Sequence, residues 1–439
     1  MHRLTIHNFG PVKDATIDVN RFLVLIGPQS SGKSTIAKLV YFFLHVRDEV
    51  MKYAVDCAQD GVAGRPDHEL TKLLRHRFVE FFGPSRQPAD VKVTYDYGDG
   101  CSLQIALDPT EHRYVTPRFS SPAWKRILSL VKSVQGQLVS NQQDPHFFSA
   151  VGKVAADLQR AAVLARVRDE CRSIFSYEKE LFFVPAGRTL LSTLADQIQN
   201  IHPQFFDFPM HQFVDAVNQS KSFFDKPMQE IVRERLALST EKVDLAAVNE
   251  AQSYVRKILK GEYMYDREGG KLYISDNVYT KINYASSGQQ ESVWILLSLF
   301  LLVLQRSRSL VVVEEPEAHL YPIAQKQLLE YVAFVYNTLD CDFVLTTHSP
   351  YVLSCVNNLI SAHDLSRKIS QEKLERIIPR SLWLNTADVG GYFVNDGTVE
   401  PLMATDSPAL KTELVDSASD LINADFEAML ELESEAASK

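Results

Sequence analysis

Gly27-Pro28-Gln29-Ser30-Ser31-Gly32-Lys33-Ser34 follows the apolar run Phe22 to Ile26 and opens the apolar-periodic run Ser34 to Leu44. A buried strand therefore feeds a glycine-rich loop and then a helix. The octet fits G-x-x-x-x-G-K-[ST] at every fixed position, in the strand-to-helix setting the pattern requires. Its glycines let the backbone curl until N–H groups and the helix N-terminus face one point, which suits phosphate. Lys33 is expected on the β and γ phosphates and the Ser34 hydroxyl on Mg2+. Gly27, Pro28, Gln29, Ser30, Ser31, Gly32 and the following Thr35 are expected around the nucleotide, ATP. A Gly-Ser turn with an exposed lysine is the plain alternative, and the flanking strand and helix weigh against it.

A second apolar run, Leu310 to Val313, ends in Glu314-Glu315-Pro316-Glu317. Carboxylates at the C-terminal end of a parallel strand lie at the crevice where open α/β sheets bind ligands. One such acid can hold Mg2+, and the next can polarise an attacking water as general base. Glu314 is assigned to the metal and Glu315 to the water. A charged cap on a surface helix would use the same letters, but a phosphate loop in the same chain disfavours it.

The rest of the chain reads as a frame for these two motifs. Strands are expected at Leu4 to Asn8 and Ala15 to Asp18, and hairpins at Val91 to Leu107 around Asp99-Gly100 and at Glu262 to Asp276 around Gly269-Gly270. Helical patterns run from about Trp124 to Lys179 and from Leu190 to Leu259, separated by the short apolar strand Leu181 to Pro185. Then helix Gln289 to Leu304, strand Leu310 to Val313, helix Ile323 to Tyr336, strand Asp342 to Thr346 and helix Tyr351 to Val356 alternate, the pattern of a parallel sheet with crossover helices. The tail adds a hairpin around Asn395-Asp396-Gly397 and a helix from about Pro408 to Leu432 with an acidic end.

Composition bounds the function. The 439 residues carry 46 Lys and Arg against 55 Asp and Glu, a net charge of −9. The whole surface does not attract nucleic acid, and any such contact needs a local basic patch. Lys72 to Arg77, Arg113 to Arg126 and Arg367 to Arg380 are candidates, each as readily a solvated helix face. The five cysteines lack C-x-x-C spacing, which argues against a zinc ribbon or disulfide scaffold and fits a reducing cytosol. No signal-peptide pattern is present. The longest apolar stretch, Val293 to Leu304, is shorter than a membrane span requires. A soluble, cytoplasmic protein is expected.

Two further motifs point to a family. Ala285-Ser286-Ser287-Gly288-Gln289-Gln290 resembles the ABC signature, and Thr346-Thr347-His348-Ser349-Pro350 resembles the histidine switch loop. The order of the four motifs is similar to that of ABC-type heads of the SMC, RecF and OLD kind. Glu314-Glu315-Pro316-Glu317-Ala318-His319-Leu320-Tyr321-Pro322 and Val184-Pro185-Ala186-Gly187-Arg188 look like the OLD-like branch of AAA ATPases that populates bacterial anti-phage systems. The resemblance covers the start of the chain and about residues 180–360 well, and 45–180 poorly.

The resemblance implies an α/β fold, an ABC-type P-loop ATPase head with a mixed β-sheet and an inserted helical subdomain. The head would comprise 1–45 and 180–400, with 45–180 as an inserted hairpin and helical region, 190–260 as a helical region within the head, and 405–439 as a C-terminal helix and acidic tail. Ser286 and Gly288 would meet the γ phosphate held by a second copy, and His348 would sense that phosphate and hold the water. Arg188 would contact phosphate or the partner head, or else form a structural ion pair. Glu317 and His319 would line the dimer seam. There are departures: Glu314 replaces the commoner Asp, no Q-loop glutamine is assignable, and neither a coiled-coil arm nor a Toprim metal cluster is visible. The activity implied is hydrolysis of ATP to ADP and phosphate by a homodimer or higher homo-oligomer. It would control a separate effector, a Toprim or HNH nuclease or a toxin, in antiviral defence. The alternatives are a RecF-like or SMC-like ATPase for DNA repair or loading, with DNA or RNA as partner, and an ATP-assembled scaffold with little turnover.

Overall fold

Apolar runs that stay buried on both faces form the middle of the sheet, and alternating runs form its wing. The computed structural model describes residues 2–60, 64–84, 87–107, 115–138, 150–193, 206–238, 243–275, 277–404, 409–412, 423–430 and 433. The strands are β1 (His2–Phe9), β2 (Val12–Val19), β3 (Phe22–Ile26), β4 (Lys92–Gly98), β5 (Cys101–Leu107), β6 (Val115–Phe119), β7 (Glu180–Val184), β8 (Glu262–Asp266), β9 (Gly269–Ser275), β10 (Val278–Lys281), β11 (Ser309–Glu314), β12 (Asp342–Thr347), β13 (Val389–Asn395) and β14 (Thr398–Pro401). One mixed sheet has the order β6-β5-β4-β1-β2-β14-β13-β3-β12-β11-β7, and β10-β9-β8 form a small second sheet.

The expected α/β class with a large mixed sheet is what the structure shows. Strands β13, β3, β12, β11 and β7 are mutually parallel. Their register aligns the strand ends: Ile26 pairs with Thr347, and Thr346 with Glu314. The segments leaving β3, β11 and β12 thus emerge side by side at the carboxyl edge, where an open α/β sheet places its ligand.

Helices cover both faces. They are α1 (Lys33–Asp60), α2 (Pro66–Phe82), α3 (Ser121–Val134), α4 (Ala150–Phe175), α5 (Thr189–Thr193), α6 (Phe208–Lys221), α7 (Met228–Leu238), α8 (Leu245–Leu259), α9 (Ser287–Gln305), α10 (Pro322–Leu339), α11 (Pro350–Leu365) and α12 (Gln371–Glu375). β3 shows the division residue by residue. Phe22, Val24 and Ile26 pack into the core with α8 to α11, and Leu23 and Leu25 into the core with α1 to α4, as the period of two demands. Of the described residues, only α9 is long and apolar enough to cross a membrane by length and composition, and 72% of that apolar window is buried. It is the central core helix.

Several boundaries differ from expectation. β4 and β5 form the expected hairpin, but β4 also pairs antiparallel with β1, so the strands between 92 and 119 continue the main sheet and add β6, whose Pro117 and short length hid it. The second hairpin turns at Arg267-Glu268, two residues before the Gly269-Gly270 expected, and gains β10. The expected helix Pro408 to Leu432 is described only in part, with 423–430 helical. Arg113, Asp276, and segments 139–149, 194–205 and 239–242 of the two expected helical stretches lie outside the described residues.

Candidate functional site

The phosphate loop closes over Gly27, where a Cβ would stand 2.0 Å from the Val394 carbonyl oxygen of β13. Only glycine fits that approach. α1 begins at Lys33, and the lysine folds back over its own loop. Its ammonium donates to the carbonyls of Gly27 (2.9 Å) and Pro28 (2.7 Å) and reaches His348 Nδ1 at 3.3 Å. Burial pushes its pKa down to about 8, against the pull of the Glu315 and Glu317 charges. Pro28, Gln29, Ser30 and Ser34 are exposed, Thr35 is half-buried, and Ser31 is buried with its hydroxyl unpartnered.

Glu314 ends β11 with 4% exposure. Its Oε2 accepts from the Ala186 amide at 3.0 Å. Burial raises its pKa, opposed by the charge of Lys38, by the Ala186 amide and by the nearby Ser34 hydroxyl. The other oxygen, Oε1, is buried without a partner. A carboxylate oxygen with no donor, next to a serine hydroxyl, is the donor set a hard divalent cation takes, so the residues present fit Mg2+.

Glu315 turns the chain out of the strand at φ 45°, a left-handed conformation uncommon for a side chain of this kind. Its amide is fixed by the Thr346 carbonyl at 2.9 Å, and its Oε1 meets His348 Nε2 at 2.9 Å. An ammonium has three N–H groups and accepts nothing, so His348 Nδ1 accepts from Lys33 and the ring proton stands on Nε2, donated to Glu315. The structure thus joins Lys33, His348 and Glu315 in one chain of hydrogen bonds, with Ser34 and Glu314 beside it.

Ser286 stands apart. It caps α9 in a reciprocal box with Gln289 and is exposed. Gly288 lies against the loop after β11, where a Cβ would come within 2.8 Å of the His319 carbonyl. Three more of the expected residues have different surroundings. Arg188 is fully buried, and four of its five N–H groups go to the carbonyls of Glu291, Pro185, Glu314 and Glu315. Its Nε also lies 3.2 Å from the Glu291 carboxylate. Of the readings left open for it, the geometry is that of the structural ion pair. Glu317 faces inward with 8% exposure, while His319 is exposed.

Sequence reasoning missed what Val184 to Arg188 does. β7 pairs in parallel with β11, so the residues after β7 brace the acidic strand end, Ala186 on the Glu314 carboxylate and Arg188 on the carbonyls of Glu314 and Glu315. It also missed Lys38, which pairs with Asp207, the N-cap of α6.

The sequence matches the family model of the AAA ATPase domain over residues 1–93 and 169–353, more than half of the chain. No curated protein gives a significant match. Among solved structures the chain is similar to an SMC head bound to the C-winged helix domain of ScpA, with a TM-score of 0.40, 11% identity, and coverage of 91% of this chain and 95% of that one. It is similar to the Smc head with an extended coiled coil bound to the C-terminal domain of ScpA from Pyrococcus furiosus, with a TM-score of 0.39, 12% identity and coverage of 96% and 100%. It is similar also to the SMC head domain from Thermotoga maritima, with a TM-score of 0.36, 12% identity and coverage of 92% and 98%.

Proposed function

The chain belongs to the AAA ATPase domain family, and from that premise we propose that it binds ATP on the phosphate loop and hydrolyses it to ADP and phosphate. The observation that carries this reading is the meeting of Lys33, Ser34, Glu314, Glu315 and His348 at one edge of the sheet. Lys33 would exchange the carbonyls of its own loop for β and γ phosphate oxygens, a stronger charge-assisted pairing. Ser34 and Glu314 would hold Mg2+, which when bound neutralises charge that builds on the transferred phosphoryl group. Glu315 would take the proton of the attacking water, with His348 orienting the water and sensing the γ phosphate.

The second half of the site would come from another copy. Ser286 sits exposed at the N-terminus of a 19-residue helix, a position suited to an anion. Tyr284, Tyr321 and Tyr351, close in sequence to Ser286, Glu317 and His348, are 78%, 74% and 57% exposed. Exposed tyrosines around one site suit a protein interface. On the likeness of Glu314 to Pro322 and of Val184 to Arg188 to OLD-like ATPases, the proposed role is control of a separate nuclease or toxin in antiviral defence. A DNA repair or loading role is the second reading; in its favour, α3 carries Lys125, Arg126 and Lys132 and no acid. Duplex binding that weakens steeply with salt would favour it.

Phosphate release and oligomer size together test the reaction. Glu315→Gln is expected to abolish turnover and to accumulate an ATP-bound dimer, and Lys33→Ala to weaken ATP binding itself. Turnover that survives Glu315→Gln, or unchanged ATP affinity in Lys33→Ala, sinks the reading.

A further inference from the structure

We propose that Glu317 is a positioning residue that fixes His348 between Lys33 and Glu315. The proposal rests on the hydrolytic reading of those residues and deepens it. Glu317 leaves the loop after β11 and spends one oxygen, Oε1, wholly on the loop after β12. That oxygen accepts the Thr347 hydroxyl at 2.6 Å and the His348 amide at 2.8 Å. Thr347 Oγ in turn receives the Ser349 amide at 3.0 Å, and the Ser349 hydroxyl donates to Gln325 of α10. The backbone on both sides of His348 is thus tied to a single buried carboxylate. Its other oxygen is buried with no partner, so every described hydrogen bond of this side chain goes to the residues around His348.

The consequence falls on the ring. With the His348 amide pinned, the imidazole is left one place to stand, Nδ1 toward Lys33 and Nε2 toward Glu315. A second carboxylate thereby sets the tautomer without touching the ring, because it sets the backbone from which the ring projects. The device is local to two strand ends, since Glu315 and Glu317 follow β11 while Thr347 ends β12 and His348 follows it.

Two near-isosteric variants test this. Glu317→Gln keeps an acceptor in reach of the Thr347 hydroxyl and His348 amide, whereas Glu317→Asp keeps the charge and withdraws the acceptor by one methylene. The readout is the ring 15N signature of His348 in the nucleotide-free protein, assigned by difference against His348→Gln. Glu317→Gln is expected to keep the Nε2–H tautomer and Glu317→Asp to lose it. In turnover, Glu317→Asp is expected to lower kcat on the order of 10- to 100-fold, as when a carboxylate that orients an active-site histidine is removed, with KM for ATP little changed. Combining it with His348→Gln is expected to add nothing further. A tautomer unchanged in Glu317→Asp, or additive losses in the double variant, overturns the positioning role. A wild-type protein that shows the tautomer and no turnover removes the hydrolytic reading and leaves the positioning role standing.

Discussion

Arg188 shows how little the letters around one side chain say of its partners. An arginine after Pro-Ala-Gly beside a nucleotide motif suits phosphate, yet this guanidinium is fully buried and ties β7, α9 and the acidic end of β11 together. Its ion-pair partner is Glu291, 103 residues away, and no local pattern reports that distance. That Lys33, Glu315 and His348 come together was legible, because their motifs stand at the ends of strands whose order the alternation of strand and helix gives. The bonds of Glu317 to Thr347 and His348 were not, because those partners lie at the end of another strand. The difference for Arg188 is measurable. Arg188→Ala leaves the Glu291 carboxylate buried without its cation, which costs about 3–5 kcal/mol. Chemical denaturation is expected to show a loss of that size, with the nucleotide site perturbed only through Glu314 and Glu315. A variant of wild-type stability that has lost ATP affinity would return Arg188 to the phosphates.

Between residue and fold, α1 links the phosphate loop to the layers that flank it. The helix was predicted from Ser34 to Leu44, and it runs from Lys33 to Asp60. The pattern gave out at His45, Arg47, Asp48 and Glu49, polar letters that look like a terminus. They instead find partners inside the fold: His45 Nε2 meets Glu49 Oε1 at 3.1 Å, Arg77 of α2 donates to the same oxygen at 2.7 Å, and the Arg77 guanidinium lies 4.0 Å from the Phe208 ring of α6. Burial alone would lower the His45 pKa, but Asp48 and Glu49 outweigh it and the net shift is upward from 6.5. Burial likewise opposes Glu49, yet His45 and Arg77 bring it below 4.5. The signs give a window. The His45 contribution is complete below 6.5 and is lost as pH rises through its folded pKa. The Glu49 contribution is complete above 4.5 and is lost as pH falls through its own. The melting temperature is therefore expected to fall as pH rises above 6.5, and His45→Gln to flatten that upper limb and, because Glu49 loses a partner, to weaken the acid limb as well. A wild-type limb no steeper than the variant's would remove His45 as its source.

At the scale of the whole molecule, the sheet explains both what was legible and what was not. Alternation and apolar runs identified strands, and chain order identified the parallel core, but neither names a strand's partner. That β4 would join the free edge of β1 is a long-range pairing invisible in either segment. The same geometry separates the two halves of the proposed site. Lys33, Glu315 and His348 meet at the carboxyl edge, whereas Ser286 stands exposed as a helix cap whose hydroxyl bonds go to Gln289. If Ser286 completes the site of a second copy, two defects in different chains should cancel. Lys33→Ala removes the loop of its own site, and Ser286→Ala removes a donor to the phosphates of the other, a loss on the order of 100-fold or more for a transition-state donor. Mixed together, they form some dimers with both defects in one site and none in the other. Random pairing makes about half of the dimers mixed, so about one quarter of wild-type sites return. A donor acting within its own chain predicts no recovery at any mixing ratio, because every chain then carries a defect in its only site. Phosphate release measured across mixing ratios separates the two, and a flat response would restrict the active unit to one chain.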